Sequence, residues 1–509
     1  MEHSKVIAIL NEIEERFPVN SWKASEFHVW PLIRIEIAMK LYSLFKPSAN
    51  PEKINNVAQK PLVGPGFFNK LKSISNWENR SLKHKLDDFK MRFQLKSNAK
   101  VLFLSFAASR VEFNGSAFNK QVDPIINYLN NSEINSLLLE LKYNIQQNID
   151  PSNKNQCICI DQHMRFYLWN NRSIDLDALY LDGYEEFMDF LEQRVGLKFD
   201  DLRGENLRIK IKNFILLIAY FKEILLRNKT KLSFVTCYYA MPCMALSAAS
   251  KTLGIPCVDI QHGLQVNHAA YTKWSKVPVD GYSALPSMFW CWSHIETKII
   301  MDWAKGTNGK HKAVIAGNTW NEIWQDEALS KGSYIESLER TNPTGKSFNI
   351  LYTMQPLNDA LPDFFMQAIK RSPADWKWWI RIHPRQINDI EKIKKLLEQG
   401  CGFEKVELKM ASEFPLPVLL QHTDIHITLF SSVVIEAADF GVPSIIMHKN
   451  GLEIFNSEIE SGYAVYEPGD STKLIGVIEH LKLMKISGLG NRKTSSFRPC
   501  MDELIRQMV

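Results

Sequence analysis

Val101-Leu102-Phe103-Leu104-Ser105-Phe106 is an almost unbroken apolar run, and Ser109-Arg110-Val111-Glu112-Phe113-Asn114-Gly115 follows it as a polar turn. A strand solvated on one face alternates apolar and polar residues; a run without alternation is covered on both faces, as in parallel sheets. Helical spacing resumes through Pro124-Ile125-Ile126. The same alternation repeats outward from this run, with strands expected at 136–139, 157–160, 233–237, 257–260 and 289–292. A second series is expected from about residue 311, with strands at 312–316, 349–353, 378–382, 406–408, 424–428, 444–447 and 463–465. Strands alternating with helices predict an α/β fold of doubly wound parallel sheets.

The predicted organisation is an N-terminal helical extension and linker over 1–95, a Rossmann-like domain over 96–293, and a connection with a second Rossmann-like domain over 294–480. A helical tail over 481–509 is expected to return to the first domain. Two such domains would face a cleft. In open α/β sheets ligands bind beyond the C-terminal ends of the strands, so the loops after each strand hold the candidate site.

Composition narrows the function classes. The 509 residues are 45% hydrophobic and 23% charged, and a net charge of +5 is too small for this length to argue for nucleic acid. Eight cysteines are scattered without zinc spacing, which fits reduced thiols of the cytoplasm and predicts no metal. The opening MEHSKVIAILNEIEERF reads as an amphipathic helix rather than a signal peptide. The apolar run from Phe214 to Leu226 is short and contains Lys222, so it reads as a buried helix and not a membrane span. The Lys-, Asn- and Ser-rich stretch over 46–100, with Lys83-His84-Lys85, reads as a solvated linker; a basic face toward anionic lipid is the alternative. Neither a Walker A loop nor a GxGxxG string occurs, which lowers the weight of ATP hydrolysis and dinucleotide redox chemistry.

Five strand-end clusters carry candidate chemistry. Leu429-Phe430-Ser431-Ser432-Val433 leads a strand into a helix that stops at Gly441; its hydroxyls can cap the helix or, with the free N–H groups, bind a phosphate. Glu436 lies one turn further in and can accept bonds from ribose hydroxyls. Arg381-Ile382-His383-Pro384-Arg385 ends another strand, with the proline fixing the turn, and its imidazole and guanidiniums suit a phosphate leaving group. Gln355, after the strand at 349–353, is a candidate for base, ribose or phosphate. In the first domain, Asp259-Ile260-Gln261-His262-Gly263 offers Asp259 or His262 as general base for an acceptor hydroxyl, with Gly263 permitting close approach or a left-handed turn. Arg110, Glu112, Asn114 and Gly115 are candidates for the acceptor or sugar side.

With these residues in hand, the chain resembles the GT-B glycosyltransferases of bacterial surface-polysaccharide assembly, above all those using CMP-activated acidic sugars. Bacterial sialyltransferases carry an HP motif and a paired Ser/Thr motif on the donor side, and His383-Pro384 and Ser431-Ser432 match these in order and setting. The string from Asp259 to Gly263 is similar to the QHG signature of capsule and lipopolysaccharide transferases, including Kdo transferases. The resemblance spans about residues 100 to 480. It departs from the sialyltransferases in lacking their acidic D/E-D/E-G string, for which Asp259 and His262 are the nearest analogues. It departs from many retaining enzymes in that Thr428 stands eight positions before Glu436, breaking the E-x7-E pattern, and the loop after 353 offers no carboxylate before Asp359. Retaining and inverting chemistry both stay open.

The resemblance implies a donor nucleotide in the second domain, an acceptor in the first, and no cofactor beyond the nucleotide-sugar co-substrate. The donor expected first is a CMP-linked ulosonic acid, Kdo or a nonulosonate, and second a UDP- or GDP-hexose. The acceptor would be a lipid-linked glycan, placing the protein in the cytoplasm, peripheral on the inner membrane face. Polyol-phosphate transfer from a CDP-polyol, a sugar-nucleotide 2-epimerase and a non-catalytic GT-B scaffold are the alternatives.

Overall fold

The computed structural model describes residues 3–44, 95–113, 115–142, 156–173, 175–176, 179–325, 347–357, 359–486 and 496–508. Lys83-His84-Lys85 and Asn114 lie outside the described residues. The chain divides into two compact units, Met1–Thr319 together with Ser495–Val509, and Trp320–Thr494.

In the first unit, helix His3–Arg16, a short hairpin of β1 (Lys23–Ala24) and β2 (Phe27–His28), and helix Trp30–Leu44 precede the sheet. β3 (Val101–Phe106) is buried along its whole length, as its lack of alternation requires. Its residues divide by parity: Leu102, Leu104 and Phe106 enter the core that also takes the N-terminal helices, and Val101 and Phe103 enter the core on the other face. A hairpin of β4 (Arg110–Phe113) and β5 (Ser116–Asn119) follows, closed at Gly115 with φ of +72°, a backbone state that favours glycine. Next come β6 (Ser136–Leu141), β7 (Cys157–Cys159) and β8 (Leu179–Tyr180), the last pairing with β1. β9 (Leu232–Thr236), β10 (Cys257–Ile260), β11 (Met288–Cys291) and β12 (Lys312–Ile315) complete a seven-stranded parallel sheet in the order β12-β11-β10-β9-β3-β6-β7.

One expectation is corrected here. The strand near 312 was expected to open the second series; it is instead the edge strand of the first sheet, pairing with β11 from Met288↔Lys312 to Cys291↔Ile315. Its burial alternates little and none of its residues is fully covered, as an edge position allows. The apolar run from Phe214 to Leu226 lies within helix Gly204–Asn228, and among the described residues no helix is long and apolar enough to cross a membrane.

The N-terminal helices are fastened to the long segment after β10 by a buried ion pair. Both side chains of Glu14 and Arg34 are at most 1% exposed, 2.8 Å apart. The Glu14 carboxylate accepts from Trp30 Nε1 at 3.0 Å, Arg34 Nε at 2.8 Å, and the backbone N–H and hydroxyl of Ser275 at 2.7 and 2.5 Å. Arg34 donates onward to the carbonyls of Ala269, Thr272 and Lys273, and its guanidinium lies 4.1 Å from the Trp274 ring centroid.

The second unit holds β13 (Phe348–Thr353), β14 (Trp376–Arg381), β15 (Val406–Glu407), β16 (Ile425–Thr428), β17 (Ser444–Ile446) and β18 (Ala464–Tyr466). They form a parallel sheet in the order β15-β14-β13-β16-β17-β18. Tyr352, Phe365, Trp376 and Trp378 fill its core. Both units are thus Rossmann-like: in each, successive strands run outward one way from a central strand, then the chain returns to that strand's other side. The order reverses between β3 and β9 in the first unit and between β13 and β16 in the second, and ligands of such sheets bind at these points.

Candidate functional site

The reversal point of the second sheet is floored by interlocked hydroxyls and one imidazole. Thr353 Oγ1 sits 2.8 Å from His426 Nε2, and His426 Nδ1 sits 2.9 Å from Ser444 Oγ. Burial lowers His426 to about 3, so the bridge is neutral. Thr428 Oγ1 donates to the Thr353 carbonyl at 3.0 Å and accepts from the Ser431 N–H at 3.2 Å. Gln355 Oε1 accepts from the Phe430 N–H at 2.9 Å, which ties the loop after β13 to the loop after β16. The Thr353, Thr428 and His426 floor was missed in the sequence, where only their strand positions were legible.

Ser431 and Ser432 stand at the end of that loop, before helix Val433–Asp439. Ser431 Oγ accepts from the Val433 N–H at 3.4 Å, while Ser432 makes no side-chain capping bond. Capping therefore engages one hydroxyl, weakly. The helix is only two turns long and the N–H groups of Phe430, Ser431 and Val433 are bonded within the protein, so the two hydroxyls, more than a helix dipole, are what the site offers an anion. Helix Lys449–Ile454 packs close behind the loop: a Cβ at Gly451 would come within 2.7 Å of the Leu429 carbonyl and 2.4 Å of Ile446 Cγ2.

At the end of β14, Ile382 is buried and its N–H donates to Ser412 Oγ at 3.1 Å. His383 follows half-buried, and Pro384–Asp389 forms a 3-10 turn whose Gln386 N–H bonds to the His383 carbonyl at 2.8 Å. Arg381, expected as a phosphate ligand, is held elsewhere: its Nη1 donates to the carbonyls of Ala411 and Phe414, each at 2.7 Å. Burial lowers Arg381 to about 10, and the attraction of Glu436 works against that shift. Arg381 thus ties β14 to the chain near 411–414 and places a positive charge beside Glu436. Arg385 belongs to the 3-10 turn. The structure bonds Gln355 to the backbone of Phe430, next to Ser431 and Ser432, and links Glu436 to Arg381 by charge.

In the first unit, the string from Asp259 to Gly263 leaves the C-terminal end of β10. Asp259 is fully buried; one oxygen accepts from the Tyr238 N–H at 3.0 Å and the other has no hydrogen bond, although the Tyr271 hydroxyl approaches it. Burial pushes its carboxyl up to about 8. This corrects its assignment as a general base, because a carboxyl sealed in the core cannot reach an acceptor hydroxyl. Gln261 is also corrected from substrate contact: it is buried, donates to the Gly263 carbonyl at 3.0 Å and accepts from the Trp292 N–H at 2.7 Å. Gly263 does not take a left-handed φ, but a Cβ there would meet nothing within 4 Å, so its backbone is open to close approach.

His262, the other residue expected as a base, is half-buried at the strand end. Its Nε2 lies 3.4 Å from the Tyr239 hydroxyl, and its Nδ1 has no hydrogen-bond partner. Burial lowers it to about 4, leaving the imidazole neutral at physiological pH. Tyr239 was missed in the sequence; the available signal was its place directly after the strand at 233–237.

Arg110 is the clearest correction. Its guanidinium is enclosed, bonded to Glu140 at 2.6 Å and to the Ala117 carbonyl, 3.6 Å from Asp123 and 3.3 Å from Cys157 Sγ. It is a core cation rather than a substrate ligand. Glu112 is exposed on the hairpin and Gly115 serves its turn. Among the described residues, no group of three His, Cys, Asp or Glu could hold a metal ion.

The buried Asp259 carboxyl gives a pH signature. Its folded pKa of about 8 lies above the unfolded value near 3.9, so the folded state retains a proton that the unfolded state releases between roughly pH 4 and 8. Stability attributable to this group therefore falls as pH rises through that window. The lowered histidines, His28, His262, His311, His426 and His448, act oppositely below about pH 6.5, so a difference measurement is needed. Asp259→Asn, which keeps an acceptor for the Tyr238 N–H, should gain stability relative to the parent from pH 5 to 8.5 in urea titrations. A pH-independent difference would contradict the assignment.

Residues 353–450 match the family model described as Capsule polysaccharide biosynthesis protein. The matched stretch begins at the last residue of β13 and includes Gln355, Arg381 to Arg385, Ser431, Ser432 and Glu436, every candidate of the second unit. No curated protein matches the chain. Solved structures with similarity include UDP-GlcNAc 2-epimerase from Methanocaldococcus jannaschii, at 12% identity and a TM-score of 0.49 over 80% of this chain and 99% of that one. The UDP-GlcNAc 2-epimerase of Neisseria meningitidis bound to UDP-GlcNAc is 14% identical, with a TM-score of 0.49 over 80% and 99%. The calicheamicin glycosyltransferase CalG4 is 12% identical, with a TM-score of 0.45 over 81% and 98%.

Proposed function

We propose that the protein is a glycosyltransferase of capsule or lipopolysaccharide synthesis, whose second unit holds a nucleotide sugar and whose first unit activates the acceptor. The observation that carries this is the coincidence of the capsule-family match with the loops at the reversal point of the second sheet. The donor is a CMP-linked ulosonic acid, Kdo or a nonulosonate; the pairing of His383-Pro384 with Ser431-Ser432 supports that choice. The acceptor is a lipid-linked glycan, met at the inner face of the cytoplasmic membrane.

In the reaction the acceptor oxygen bonds to the anomeric carbon while the bond from that carbon to the phosphate oxygen breaks. His383 and the Ser431 and Ser432 hydroxyls stabilise the charge developing on the departing phosphate. Glu436, with the Arg381 charge nearby, accepts from ribose hydroxyls. His262 takes the proton of the acceptor hydroxyl.

A thermal-shift screen with CMP, CDP, UDP and GDP tests the donor side. A nucleotide at 100 times its Kd stabilises the folded form by about 2.7 kcal/mol, so selective stabilisation by CMP is expected. Selective stabilisation by UDP overturns the ulosonate donor, and by CDP it redirects the reading to polyol-phosphate transfer. Because Ser432 makes no capping bond, Ser432→Ala should leave unliganded stability within about 0.5 kcal/mol and shrink the nucleotide shift. The reverse pattern would make Ser432 a structural residue.

A further inference from the structure

We propose that helix Trp30–Leu44 is a working part of the acceptor half, orienting His262 through Tyr42, His268 and Tyr239; this rests on His262 being the base that receives the acceptor proton. The segment after β10 has no strand or helix of its own until β11, so its shape is set by what it is fastened to. Trp303 and Tyr238 bond its Tyr271 and Ala270 carbonyls, and a further set of fastenings comes from the N-terminal region. Besides the Glu14–Arg34 pair, the Tyr42 hydroxyl accepts from the Ala269 N–H at 2.9 Å, and Asn20 Nδ2 donates to the Lys276 carbonyl at 2.9 Å.

From Tyr42 a continuous row of rings leads to the base. The Tyr42 and His268 centroids are 5.6 Å apart, those of His268 and Tyr239 are 5.1 Å apart, and those of Tyr239 and His262 are 5.9 Å apart. His268 is fixed in its own turn, its Nδ1 accepting from the Ala270 N–H at 3.2 Å. Tyr239 is held by edge contacts to Tyr238 and Tyr271 and meets His262 with its hydroxyl at 3.4 Å. Tyr239 lies two residues after Cys237, which follows β9 in a left-handed backbone state at φ of +63°. A non-glycine residue keeps such a state only where its surroundings enforce it, and strain of this kind concentrates at functional sites. Successive rings of the row are in contact, so a shift of the Trp30–Leu44 helix is passed along it to the imidazole.

Tyr42, His268 and Tyr239 are therefore positioning residues. The experiment measures kcat, donor KM and thermal unfolding for Tyr42→Phe and Tyr239→Phe, each alone and combined with His262→Gln, using the full chain. The single variants should lower kcat about 10- to 100-fold, the scale of a misplaced catalytic group, with donor KM unchanged. In the His262→Gln background the same substitutions should add no further loss, because positioning matters only while there is a base to position. Wild-type kcat in both single variants, or fully additive losses with His262→Gln, overturns the relay. Wild-type turnover of His262→Gln alone instead removes the base, and with it the reading on which the relay rests.

Discussion

His383→Ala should lower kcat by about 10²–10³-fold, the cost of removing one preorganised donor from a developing anion, and leave the fold intact. The separation of the two effects follows from where His383 sits. The turn is built by its neighbours: Ile382 is buried and bonded to Ser412, and the His383 backbone carbonyl, which alanine retains, accepts from Gln386. The imidazole itself is half-buried at the strand end, so its loss opens no core cavity. Single-turnover transfer from a CMP-sugar, beside a thermal unfolding curve, measures both quantities. Turnover at the wild-type rate would remove His383 from the phosphate site and leave Ser431 and Ser432 to carry the leaving group.

The largest expected loss of stability is at Glu14. Glu14→Ala strands the Arg34 guanidinium in the core, and breaking a buried pair in this way costs about 3–5 kcal/mol. Three further donors lose their acceptor at once, namely Trp30 Nε1 and the N–H and hydroxyl of Ser275. A double replacement, Glu14→Leu with Arg34→Met, removes both charges and should recover much of the loss, because an apolar pair of similar volume avoids the desolvation of the ions. Urea unfolding followed by tryptophan fluorescence is the measurement, with nucleotide-induced stabilisation of the second unit as an internal control. A Glu14→Ala protein within about 1 kcal/mol of the parent would mean that water reaches the pair and screens it.

Much of the fold was legible in the sequence because buried parallel strands leave a signal that survives without context. Residues 101–106 and 376–381 are apolar enough to be strands wherever they pair. β12 was misplaced for the opposite reason. An edge strand is only half covered, so its sequence does not say which sheet it edges. At the site, strand ends were found correctly, but the direction of individual side chains was not. Arg110, Asp259 and Gln261 are polar residues at strand ends, as a ligand site requires, yet each turns inward to partners supplied by other elements. Glu140, Tyr238 and Trp292 cannot be matched to them by spacing. The same holds for the N-terminal helices, which read as an extension because the residues that Arg34 grips lie more than two hundred positions away.

The last helix, Arg498–Arg506, belongs to the first unit although the second unit precedes it in the chain. Its Met501 and Leu504, with Phe497, close the core face formed by Phe103, Phe234 and Trp290. Synthesis from the N-terminus therefore exposes that face until some 175 intervening residues, Trp320–Thr494, have left the ribosome. At about 5–20 residues per second this is a delay on the order of ten to thirty seconds. During that time the nascent first unit presents this part of its apolar core without the C-terminal cover. A stop codon anywhere in the second unit would yield an aggregation-prone fragment rather than a folded half-enzyme.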